Sequence, residues 1–161
     1  MTKEFIKLEN FTKEEARVLI AKDVLMQLDA KKIIATKGSY LEFTDSSWRE
    51  EDFLHEVMER NICQVCALGS LYYSRVQLAN ETKCDVVNKY NEFGIISNCG
   101  VITPDLLQYF ERDALRDIEV YFEGWYGAVK FADENPDPEM RMRKIMQNII
   151  DNNGTFVTEK L

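Results

Sequence analysis

With 161 residues and 45% apolar content, the chain is the size of one domain and can bury a core without disulfide or metal support. Its net charge of -8 argues against nucleic acid as a direct ligand, because neutralising phosphates takes a local excess of Lys and Arg. Four cysteines are too few for a disulfide scaffold, and neither a leader-like segment nor a membrane-length apolar run is visible, so the expectation is a cytoplasmic chain with no membrane partner.

The first element is a helix over residues 12–31. Thr12 and Glu15 form a capping box, and Ala16, Ile20, Val24, Leu25 and Leu28 recur at helical spacing. Thr36-Lys37-Gly38 breaks the pattern, and Ser39-Tyr40-Leu41-Glu42-Phe43 has strand character. Ser47 with Glu50 signals a short helix carrying Phe53, Leu54, Val57 and Met58, although its acids also suit an exposed insertion. Apolar positions 65, 68, 72, 76 and 79 then mark one face of a helix from Val65 to Ala79. Polar turns and a β-like Gly94-Ile95-Ile96 follow.

Thr103-Pro104 reads as a cap and first-turn proline opening a helix, or helix pair, that runs to Glu123 and stops at Gly124. Asp137 and Pro138 open a last helix with Met142, Ile145, Met146, Ile149 and Ile150 on one face. Gly154 ends it, and Thr155-Phe156-Val157 reads as a terminal strand. The fold class expected is mainly α (α+β), a single domain over 1–161 with about five helices and a small β element.

The cysteines are spaced C-x2-C-x17-C-x14-C at Cys63, Cys66, Cys84 and Cys99. A zinc site normally shows two close pairs, and here there is one, with His55 the lone histidine. A Cys-x-x-Cys at a helix start can hold a reactive thiolate, but the redox folds that use it place a βαβ unit around it, and acidic neighbours oppose the charge. The third reading is packing: Cys66, Ala67, Gly69 and Ser70 form a small-residue face for a close contact, and Cys63 is a buried strand end. Packing is the reading favoured, with no metal or other cofactor expected.

No Ser-His-Asp or Cys-His set and no phosphate-binding glycine loop is present, so the sequence leans away from an enzyme. The acidity is concentrated instead. Residues 45–59 have a net charge of -5, residues 111–139 one of -6, and the rest of the chain one of +3. The second segment also holds Tyr121-Phe122-Glu123-Gly124-Trp125-Tyr126, whose aromatics beside Glu119, Glu123, Asp133 and Glu134 are the makings of a protein-binding surface for a basic partner. The bland alternative is that Phe122, Trp125 and Phe131 close one end of the core. A competing ligand site would lie between the start of the Val65 helix and the Trp125 region, using the free amides of that helix start with Ser70, Arg75, Arg112 and Arg116 to hold a small anion such as a nucleotide.

The run Cys66-Ala67-Leu68-Gly69-Ser70-Leu71, preceded by Thr36-Lys37-Gly38-Ser39-Tyr40, resembles a loose group of small phage and bacterial proteins with a C-A-L-G-A-L-like segment. The likeness extends more faintly to Phe122-Glu123-Gly124 and to Ile145–Gly154. It implies no activity and no catalytic residue. What it implies is a phage accessory protein in the host cytoplasm, of the kind that binds and inhibits a host, defence-related protein.

Overall fold

The computed structural model describes residues 5–44, 54–79, 95–96 and 99–161. It is mostly helical, with a small sheet. In chain order the elements are α1 (Lys13–Asp29), β1 (Ile33–Ala35), β2 (Leu41–Phe43), α2 (Leu54–Arg60), β3 (Cys63–Val65), α3 (Ala67–Ala79), β4 (Ile95–Ile96), α4 (Cys99–Leu106), α5 (Arg112–Glu123), α6 (Val129–Glu134) and α7 (Pro138–Asp151). The described residues thus hold seven α-helices where the periodicity suggested about five.

The capping signals hold at atomic detail. Thr12 Oγ1 accepts the Glu15 N–H at 3.2 Å, and Glu15 Oε2 accepts the Thr12 N–H at 2.9 Å, which closes the capping box of α1. Asp137 caps α7 through the amides of Glu139 and Met140, at 3.3 and 3.2 Å. Gly124 ends α5 in the left-handed region at φ 73°.

β2 and β4 form where the sequence placed strand character, while β1 and β3 were not expected. The sheet order is β1-β3-β2-β4, with β1 parallel to β3 and β2 antiparallel to both β3 and β4. Cys63-Gln64-Val65 forms β3, so α3 begins at Ala67 and not at Val65. No strand forms at residues 155–157; the chain there leads into a 3-10 turn at Thr158–Lys160. Pro104 lies inside α4, which starts earlier, at Cys99. The cap expected at Ser47 falls outside the described residues.

Helix α3 is the centre of the molecule. Every residue from Ala67 to Ser74 is buried, as are Val76 and Gln77, so the stripe seen at 68, 72 and 76 is only one of its buried faces. α1, α2, α4 and α5 all pack against it, and α7 closes over α1. Arg17 staples the outer layer: its Nε donates to the Gly154 carbonyl at 2.6 Å and its Nη1 to the Tyr109 carbonyl at 2.8 Å.

The start of α3 explains Gly69. The Tyr40 carbonyl comes so close that a Cβ built at residue 69 would stand 1.4 Å from its oxygen. Backbone cannot yield there as a flexible side chain would, so Gly69→Ala is expected to cost at least about 1–3 kcal/mol, the usual range for overpacking. Urea unfolding of Gly69→Ala beside Ser70→Ala checks it; equal stability of the two variants would mean that the approach is soft.

Candidate functional site

Several of the residues singled out in the sequence meet at the turn between β1 and β2. Gly38, Ser39, Tyr40, Cys66, Glu119, Glu123 and Trp125 line a cavity of about 90 Å³. Two glutamates one helical turn apart on α5 reach into this turn. The Glu123 carboxylate accepts the Gly38 N–H at 3.1 and 3.2 Å, and Glu119 Oε1 accepts the Tyr40 hydroxyl at 2.7 Å. The glutamates occupy inward positions because α5 turns its apolar stripe of Leu115, Ile118 and Phe122 to the core, and 119 and 123 border that stripe.

Glu123 is 6% exposed. It is therefore the floor of a cavity and not a surface acid, which corrects the expectation of an exposed contact. Burial pushes its carboxyl above the ordinary value of 4.5, the Gly38 amide and Lys37 pull it back, Glu119 raises it again and Arg141 lowers it. Arg141, 3% exposed, lies 5.8 Å from the Phe122 ring centroid.

The remaining acids and aromatics of the segment divide. Phe122 and Phe131 belong to the core, as the bland reading held. Trp125 does not: it is 53% exposed and Tyr126 98% exposed, with Val129 also open. Asp133 and Glu134 are exposed on α6, where Lys130 approaches Glu134 at 3.8 Å.

The anion site does not assemble. Ser70 is fully buried and donates to the Ala67 carbonyl at 2.7 Å. Arg75 forms an ion pair with Asp105, its Nε at 2.7 Å from Oδ1. Arg116 is exposed beside Asp113 and Asp117, at 3.5 and 3.6 Å, and Arg112 is exposed at the first residue of α5. None of these lines the cavity, whose volume is well below the roughly 300 Å³ at which a pocket encloses a small molecule. At the helix start the Cys66 N–H already donates to the Ser39 carbonyl at 2.7 Å and the Gly69 N–H to the Cys66 sulfur.

Cys66 caps α3. Its Sγ accepts the Gly69 N–H at 3.4 Å, the place a serine or aspartate oxygen takes at many helix starts. Cys63 and Cys66 are both buried and reduced. Desolvation pushes each thiol up to about 12, far from a thiolate at neutral pH. Among the described residues no three His, Cys, Asp or Glu side chains gather as a metal set. Cys84 and the side chain of Cys99 lie outside what the structure describes.

Two outcomes follow from these environments. Cys63 and Cys66 should resist a thiol reagent in the native protein at pH 7 and react on unfolding, as peptide mapping by mass spectrometry reads; rapid native labelling of either would restore the redox reading. For Glu123 the sign is set by its raised carboxyl. The folded state holds the proton more readily, so this group's contribution to stability is fully present below pH 4.5 and is lost as pH rises through the raised value. Glu123→Gln keeps an acceptor for Gly38 and removes the buried charge. It should match or exceed the parent at pH 8 in urea unfolding and flatten the decline from pH 5 to 8; a less stable variant at pH 8 would show that the charged hydrogen bond outweighs desolvation.

Comparison with known proteins finds no matching family model, no similar curated sequence and no solved structure of similar fold, so the site's own chemistry carries the functional reading.

Proposed function

We propose that the chain is a small, non-enzymatic acidic binding protein that docks a protein partner with a basic surface at the α5–α6 corner. The observation that carries this reading is the exposure of Trp125 and Tyr126 directly beyond a cavity floored by the Glu119–Glu123 pair. Exposed aromatics next to a carboxylate pocket match the anchors of protein interfaces, where a lysine or arginine head is held by charge and its stem lies on a ring. The cavity suits such a head group and not a whole metabolite. Asp133, Glu134 and the net charge of -6 over residues 111–139 add a field that speeds the approach of a basic surface. That the partner is a host defence protein inhibited by a phage factor follows from the resemblance carried by Cys66–Leu71, Thr36–Tyr40 and the fainter segments at 122–124 and 145–154.

Calorimetric titration with a lysine-rich peptide tests the reading. Binding is expected to weaken by roughly tenfold or more in Trp125→Ala and in Glu119→Gln, and to fall with added salt. Unchanged affinity in both variants would place the partner elsewhere. Affinity purification from bacterial lysate with the parent and with Trp125→Ala then identifies the partner by what the variant loses.

A further inference from the structure

The cavity at the α5–α6 corner holds charge that the protein does not balance by contact. Glu123, 6% exposed, accepts the Gly38 N–H through both carboxylate oxygens, and Glu119 accepts the Tyr40 hydroxyl through Oε1. Neither glutamate forms an ion pair among the described residues; Lys37 and Arg141 act on Glu123 from beyond ion-pair distance. A buried carboxylate without a counter-charge is costly, because water is not there to solvate it and the interior screens charge poorly. The missing counter-charge is a cation that comes from outside.

The lining narrows which cation fits. The cavity has about 90 Å³, whereas a bare ammonium takes little more than the space of one water, about 30 Å³, and would leave most of the room empty. Its three N–H groups would also need acceptors, and three of the four carboxylate oxygens already accept a bond. A guanidinium fills the space better but brings five N–H donors to the same acceptors. A hard metal ion would need six or more oxygen ligands, and two glutamates supply too few. A methylated ammonium keeps the charge, fills the volume with methyl groups and asks for at most one hydrogen bond. The walls suit those methyls. Tyr40 and Trp125 bring two rings, and Cys66 brings a thiol that burial keeps protonated. Cations are attracted to aromatic faces, most strongly to tryptophan, and Trp125, 53% exposed, leaves the cavity open to an incoming side chain.

We propose that the partner docked at this corner presents a methylated lysine, whose di- or trimethylammonium head enters the cavity beside Glu119 and Glu123 and lies against Trp125 and Tyr40. This rests on the reading of the corner as a docking site for a basic partner and names the group that the site takes.

Calorimetry of the full chain with one lysine-rich peptide in three forms tests it: all lysines unmodified, all trimethylated, or all replaced by a neutral analogue with tert-butyl in place of the trimethylammonium. The trimethylated form is expected to bind roughly tenfold tighter than the unmodified one, and the neutral analogue to lose that gain. In Trp125→Leu, which keeps an apolar side chain without the ring, the ratio of the two affinities should fall toward one, with a thermal midpoint near that of the parent showing that the variant is folded. An unmodified peptide that binds at least as tightly would overturn the methyl-lysine assignment and leave the basic-partner reading standing, whereas no binding of any form would remove both. Equal affinity for the neutral analogue would also overturn the assignment. So would free choline binding as tightly as the trimethylated peptide, since the ligand would then be a small molecule and not a partner's side chain.

Discussion

The approach of the Tyr40 carbonyl to Gly69 is the contact on which the arrangement of the molecule depends. Because residue 69 has no side chain, the first turn of α3 rests directly on the backbone entering β2. Leu41 of β2 pairs with Val65 of β3, and only Cys66 separates that strand from α3, so one residue must turn the chain from sheet to helix. It does so with its N–H on the Ser39 carbonyl and its sulfur on the Gly69 amide, two bonds that need strand and helix to be this close. Any larger residue at 69 would part them and uncover both ends of the turn.

The same turn is gripped from the other side by α5. Gly38 and Tyr40 donate to Glu123 and Glu119, so the β1–β2 turn is held between a helix start and two carboxylates. This explains why a cavity remains there. A helix start delivered by backbone contact and a helix face delivering carboxyl groups leave a small gap between them. The opposing charges of Lys37 and Arg141 reduce the cost of burying Glu123 without closing the gap, and Trp125 stands at its edge because Gly124 takes the chain out of α5 just before it.

Much of the helical framework was legible, because helix ends are written in local chemistry. The Thr12–Glu15 box, the Asp137-Pro138 start and the stop at Gly124 act within four residues and appear where the sequence places them. The strands were legible only in part. β1 and β3 have three residues each, too short to show an alternation, and their pairing joins segments thirty residues apart. α6 is six residues long and carries only a weak apolar pattern. At Pro104 local chemistry misleads, since the helix already exists before the proline and tertiary packing of Ile102 and Leu106 holds it.

The site shows the same limit in a sharper form. By count, residues 111–139 are an acidic stretch, and a count cannot separate an acid that solvates a surface from one that is folded inward. Position on the helix can. Asp113 and Arg116 lie on the outer side of α5, while Glu119 and Glu123 adjoin the stripe of Leu115, Ile118 and Phe122 that faces the core. An acid on the border of a buried stripe must either unfold the stripe or find donors inside, and here it finds the Gly38 amide and the Tyr40 hydroxyl. α3 obeys the same rule on a larger scale. Its serines, Tyr73 and Gln77 are polar, yet they are enclosed because four helices and the sheet pack against the element. In both helices polarity and burial disagree at these residues, and that disagreement exists only once the helices are packed.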